Sequence, residues 1–106
     1  MMPNWHFWTG AAELYLMRID RALERLHKST LINPNLGYVW CFLASALAIA
    51  GSKNEAKEAC AVAQHLMPGM TLTKLRAHGH RLSDNPIFLA QRQHIIEGMR
   101  MSGIPE

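Results

Sequence analysis

The sequence has too few cysteines, glycines and prolines for several classes of protein. Two cysteines among 106 residues cannot hold together a secreted disulfide scaffold, which favours a reducing cytoplasm. Seven glycines and five prolines are too few for a low-complexity chain, and 49% hydrophobic residues are too many for a disordered one. The first residues lack the basic and apolar layout of a signal peptide. We therefore expect one folded, cytoplasmic domain over residues 1–106.

The sequence also has little net charge. Eleven Lys and Arg against eight Asp and Glu leave a formal net charge of +3. The positive charges are spread along the chain, which argues against a nucleic-acid partner. The apolar run over residues 38–50 carries no charge, but its 13 residues are fewer than the roughly 20 that cross a membrane. We expect neither nucleic acid nor a membrane as a partner.

The sequence does contain helical periodicity from end to end. Apolar residues recur at steps of three and four, and no segment alternates with period two, which predicts an all-α fold. Gly51 is typical of a residue just after a helix, and Asn85 is typical of an N-cap. Ser52 and Glu55 have the spacing of a capping box. Six helices are expected: at about 4–16, 18–32 and 36–50, between Ser52 and Pro68, at about 72–78, and from Asn85–Pro86 to about 101.

An internal repeat connects these helices. Pro34 and Pro68 lie 34 residues apart, and each follows an alanine twelve residues upstream, Ala22 or Ala56. A period of 34 residues is typical of tetratricopeptide helical hairpins. We interpret residues 3–34 as a divergent repeat, 37–70 as the best-matching repeat, and 71–106 as a partial helix followed by a capping helix.

The second unit carries most of a known signature. It resembles the tetratricopeptide pattern, in which a tryptophan, small residues and a final proline stand at fixed positions. It departs at Leu47, where tyrosine is usual, and at Cys60, where an aromatic residue is usual, but both replacements are apolar. The matching residues are Trp40, Leu43, Ala44, Gly51, Ala56, Ala63 and Pro68.

The C-terminal segment resembles a more particular group. Phe88-Leu89-Ala90-Gln91-Arg92 and the closing Ser102-Gly103-Ile104-Pro105-Glu106 are similar to the end of tetratricopeptide segments in bacterial multidomain signalling proteins. Notable among those proteins are the ones that carry a class III adenylate or guanylate cyclase domain. The resemblance implies a non-catalytic regulatory module that contacts a protein, a peptide or the rest of its parent protein, with any catalytic domain outside this chain. The alternative is a self-association element, a homodimer contact of such an enzyme.

No residue constellation indicates catalysis, a metal or a cofactor. Cys41 and Cys60 lie on apolar helical stretches, and no general base is recognisable for either of them. The pattern therefore favours a role as buried hydrophobic residues over a role as nucleophiles. His78 and His80 lack flanking ligands at metal-binding spacing. A basic cluster is the remaining candidate, and a solvated face is favoured over a phosphate contact there. The cluster comprises Lys74, Arg76, His78, His80 and Arg81.

One stripe of the third helix is the candidate peptide groove. Helix spacing places it opposite the residues that pack inside the hairpin. Its members are mostly apolar, which suits a hydrophobic helix or peptide better than an acidic tail. The alternative is that the stripe packs against the first and fifth helices as core. The stripe comprises Tyr38, Cys41, Phe42, Ser45, Ala48 and Ile49.

The first helix carries a second candidate surface. Trp5, Phe7 and Trp8 are large aromatic residues with no helix before them in the chain. Repeat hairpins bury their faces only against neighbours, so an end hairpin leaves such residues uncovered. We therefore expect this edge to mediate self-association or to contact another part of a longer protein.

Overall fold

The computed structural model describes residues 5–82 and 85–106, except for the side chains of Trp5 and of residues 78–82. The described residues form six α-helices and no strand. The helices are α1 (Trp5–Tyr15), α2 (Ile19–Ile32), α3 (Gly37–Ile49), α4 (Lys53–Leu66), α5 (Leu72–Leu82) and α6 (Pro86–Ser102).

The helix ends agree with the predictions in most places. Gly51 follows α3 with φ +89°, a left-handed conformation that glycine adopts without steric cost. Asn85 caps α6, and its Oδ1 accepts hydrogen bonds from the backbone N–H groups of Ile87 at 2.8 Å and Phe88 at 3.4 Å. Gly103, with φ +117°, ends α6 in the same way as Gly51 ends α3.

Two local predictions were wrong. Ser52 does occupy the N-cap position of α4, but its side chain makes no capping hydrogen bond, so the capping box with Glu55 is not formed. Helix α5 continues to Leu82, beyond the expected end near residue 78. A glycine inside a helix costs only about 1 kcal/mol, so Gly79 does not stop it.

The first four helices form two stacked hairpins. Helix α1 packs against α2 and α3 packs against α4, while α2 also packs against α3 to join the hairpins. The small signature residues lie where these helices meet: Ala44, Ala56 and Ala63 are all buried. The Nε1 of Trp40 donates to the carbonyl of Pro34 at 2.9 Å, which ties α3 to the turn before it. The predicted all-α, tetratricopeptide-like architecture is confirmed.

The last two helices depart from simple stacking. Among the described helices, α5 packs only against α6, whereas α6 packs extensively against α3 and also reaches α1 and α4. The chain end then returns to α5, because the backbone N–H of Leu72 donates to the carbonyl of Pro105 at 2.8 Å. Helix α6 therefore lies across both hairpins and holds α5 beside them.

Candidate interaction surface

Half of the stripe expected to line a peptide groove is buried, and α6 lies against part of it. Cys41, Ser45 and Ala48 are buried, and Ser45 is fully inaccessible to solvent. The Ser45 hydroxyl donates to the carbonyl of Ile95 on α6 at 2.7 Å. The structure therefore leaves no open groove along the whole stripe. Where the stripe does pack within the chain, at Ser45 and Ile49, the neighbouring helix is α6 and not the expected α5.

Small residues explain why α6 approaches α3 so closely. A Cβ placed on Gly98 would lie 2.4 Å from the Ser45 hydroxyl oxygen, 2.9 Å from the Ser45 carbonyl oxygen and 3.1 Å from a methyl carbon of Ile49. Contacts below 3.0 Å are not tolerated between such atoms, so residue 98 must be glycine at this separation. Gly98 and Ser45 thus set the distance between the two backbones.

A buried arginine also fixes α6 in place. The Nη1 of Arg92 donates to the Tyr15 hydroxyl at 2.9 Å, and its Nη2 donates to the carbonyl of Leu75 at 3.1 Å. Tyr15 also stacks on Phe88, with ring centroids 5.5 Å apart and an interplanar angle of 18°. Arg92 therefore connects α1, α5 and α6, a role that sequence reasoning missed.

The two remaining members of the stripe belong to an aromatic cluster. The ring of Phe7 makes edge contacts with Tyr38 at 4.8 Å and with Phe42 at 5.3 Å between centroids. On the other side, Phe7 contacts Trp8 at 5.4 Å. Phe7 is buried, whereas Trp8 is 65% exposed and Tyr38 is 40% exposed. We call these four residues the aromatic surface.

The aromatic surface joins the two candidate regions that the sequence suggested separately. Phe7 and Trp8 come from the first-helix edge, and Tyr38 and Phe42 come from the stripe on α3. They meet because α1 lies beside α3, a tertiary contact that helical periodicity does not encode. Trp5 was assigned to the same edge, but its side chain lies outside the described residues.

The cysteines behave as interior hydrophobes. Burial, together with the nearby Cys60, raises the pKa of the Cys41 thiol to about 12. Burial also raises the pKa of Cys60, while a hydrogen bond with Ser102 opposes the shift. Since the thiolate is the reactive form, neither residue is poised as a nucleophile near neutral pH.

The described residues hold no cluster of three or more side chains suited to a metal ion. The side chains of His78, His80 and Arg81 lie outside the described part of the chain. Within the described residues, no helix has both the length and the apolar character needed to cross a membrane.

Two helical hairpins closed by a returning C-terminal helix define a tetratricopeptide-like helical repeat. Among curated proteins, the chain is similar to anaphase-promoting complex subunit CDC16 of Saccharomyces cerevisiae, with 28% identity over 91 residues. The match covers 84% of this chain and 11% of that protein, so the chain spans about a tenth of its relative's length. No family model matches the chain, and no solved structure matches it.

The close approach of α6 to α3 gives a direct test. In an unconstrained helix, changing glycine to alanine stabilises by about 1 kcal/mol. For Gly98→Ala we expect the opposite sign, a loss of about 1 kcal/mol or more, because overpacking a tight contact costs about 1–3 kcal/mol beyond that gain. Urea unfolding followed by circular dichroism measures the change.

The matched control is His94→Ala, an exposed position on the same helix. We expect this variant to stay within about 0.5 kcal/mol of the parent protein. A Gly98→Ala protein that is as stable as the parent, or more stable, would show that α6 does not pack this tightly on α3.

Proposed function

We propose that this chain is a non-catalytic protein-interaction module that binds its partner through the aromatic surface. The observation that carries the proposal is that two exposed rings, Trp8 and Tyr38, both contact the buried Phe7. Similarity to a subunit of a multiprotein complex supports a module of this kind.

The chemistry of the surface suits an apolar partner. Tryptophan and tyrosine are enriched among residues that contribute most to binding, because their large rigid rings bury area at low conformational cost. Neither Trp8 nor Tyr38 is charged, and Phe42 is only half-buried between α1 and the rest of α3. An amphipathic helix or apolar peptide therefore fits this surface better than an acidic tail.

The other four residues of the predicted groove take a structural role in this proposal. Cys41, Ser45 and Ala48 are buried, and Ser45 and Ile49 lie against Gly98 of α6. A peptide could reach Ser45 only if α6 moved away from α3. We therefore retain Tyr38 and Phe42 as contact residues for a partner.

Self-association is the second candidate function, and the same surface would serve it. An exposed tryptophan packed on the ring of Phe7 is as suited to a second copy of this chain as to a foreign helix. The two candidates differ in what is bound, so they are separated by measuring mass in solution.

The test changes the exposed rings one at a time. Trp8→Ala and Tyr38→Ala should fold normally, since both side chains are substantially exposed. Each should weaken binding to peptides selected on the immobilised protein from a random display library by tenfold or more, the equivalent of about 1.4 kcal/mol. Fluorescence anisotropy with a labelled selected peptide measures the loss.

Leu31→Ala is the matched control, because Leu31 is 82% exposed on α2, outside the aromatic surface. Its affinity should equal that of the parent protein. The proposal would be contradicted if all three variants weakened peptide binding equally, or if none of them weakened it. Light scattering of the same proteins distinguishes self-association. That candidate predicts a dimer that dissociates in the Trp8→Ala variant but not in the Leu31→Ala variant.

We also propose a setting for the module, which rests on the resemblance of its C-terminal segment to bacterial signalling proteins. In this setting the chain is the cytoplasmic, regulatory C-terminal part of a larger protein with a class III nucleotide cyclase domain. Sequencing the coding region upstream of Met1 tests the setting. An open reading frame encoding a cyclase domain in frame is expected, and an unrelated or absent upstream frame would contradict it.

A further inference from the structure

A pocket opens between α5 and α6, on a part of the molecule that the proposed function does not use. Its volume is about 120 Å³. A water molecule occupies about 30 Å³ in the liquid, so the pocket has room for a group of a few non-hydrogen atoms. The lining residues are Arg76, Leu89, Arg92, Gln93 and Ile96.

Arg92 places an uncompensated charge at the wall of this pocket. The residue is only 6% exposed, yet its hydrogen-bond partners are the neutral Tyr15 hydroxyl and the carbonyl of Leu75. Its Nε is buried without a hydrogen-bond partner. None of the ion pairs between described residues includes Arg92. Burial of a cation without a counter-ion is unfavourable, so an anion bound beside Arg92 would be stabilised.

Arg76 supplies a second guanidinium from α5. Its Nη1 donates to the Oε2 of Glu106 at 3.0 Å, and both side chains are substantially exposed. Glu97 is paired with Arg100 on α6, and the hydrogen bond from Arg100, with smaller effects of the Arg100 and Arg76 charges, lowers the pKa of Glu97. Among the described residues, Glu106 and Glu97 are therefore engaged by Arg76 and Arg100.

The basic cluster noted in the sequence is only partly involved. Arg76 belongs to that cluster, but the Nζ of Lys74 donates to the carbonyl of Gly69 at 2.7 Å, away from the pocket. The second arginine of the pocket comes from α6, sixteen residues further along the chain than Arg76. The fold, and not the local sequence, brings the two guanidinium groups to one pocket.

We propose that the pocket between α5 and α6 binds a compact oxyanion, a phosphate or a carboxylate group, between Arg76 and Arg92. The planar guanidinium group carries N–H donors in a fork that matches both kinds of oxyanion. The amide of Gln93 adds polar contacts, and Leu89 and Ile96 provide an apolar floor for a small organic remainder. The proposal stands independently of the aromatic surface.

The test follows the Nε–Hε signal of Arg92 by ¹⁵N NMR in the full chain. Inorganic phosphate and sodium acetate are titrated separately at constant ionic strength, with sodium chloride as the reference salt. We expect a saturable shift of the Arg92 signal and a rise in melting temperature with one or both oxyanions. Saturation by phosphate alone identifies a phosphoryl ligand, and saturation by acetate alone identifies a carboxylate ligand.

Variants on the rim keep the test independent of folding. Arg76 is a half-exposed side chain, so Arg76→Gln should not disturb the fold. It should weaken binding of the oxyanion that saturates the Arg92 signal at least fivefold. Glu106→Gln removes the carboxylate that competes for Arg76 and should strengthen binding of the same oxyanion about twofold. Arg21→Gln removes an exposed arginine on α2, away from the pocket lining, and should leave the affinity unchanged.

Three results would overturn the proposal. The first is a shift that chloride reproduces, the second is a shift that does not saturate with either oxyanion, and the third is an Arg76→Gln protein with the affinity of the parent. Each would show that Arg92 is a structural cross-link whose charge the fold tolerates without a ligand.

Discussion

The packing of α6 on α3 is the contact on which the rest of this structure depends. Gly98 allows the two backbones to approach until the Ser45 hydroxyl donates to the carbonyl of Ile95. This hydrogen bond satisfies a buried hydroxyl that would otherwise be costly in the interior. Arg92 extends the contact to α1 and α5. Since α5 packs against no other described helix, its position follows from that of α6.

This contact decides where the chain can bind other molecules. Helix α6 covers Ser45, and with Cys41 and Ala48 also buried, half of the stripe is closed to a peptide. It leaves Trp8 and Tyr38 uncovered at the other end of α3, which makes the aromatic surface the exposed apolar feature there. The same helix forms one wall of the arginine-lined pocket. One helix thus closes the core and separates two candidate sites.

The architecture could be predicted from the sequence because its signals are local. The 34-residue spacing, the alanines at helix crossings, and the turn residues Gly51 and Asn85 each act within one hairpin or one helix end. The tight packing of α6 on α3 could not be predicted from the sequence. A glycine at position 98 indicates only a locally lower helix propensity. Ser52 shows the reverse failure: a residue suited to capping occupies the right position without making the bond.

The candidate sites were predictable only in part for the same reason. Trp8 and Tyr38 were each identified as candidate contact residues from their own helices, but their convergence on Phe7 depends on how α1 lies beside α3. Arg92 appeared in the sequence only as part of a C-terminal resemblance. Arg92 is buried, and lines the same pocket as Arg76, because α6 returns over the hairpins. Residue spacing in the sequence does not encode that return.

Native-state hydrogen exchange of the full chain tests the central claim most directly. If α6 is an integral part of the core, the amides of residues 95–99 should exchange through the same opening as the amides of residues 43–47 in α3. Their exchange free energies should agree with each other and with the global free energy of unfolding. Exchange of residues 95–99 that is a hundredfold or more faster than that of α3, while α3 keeps its protection, would contradict the account. It would show that α6 leaves α3 without unfolding the hairpins.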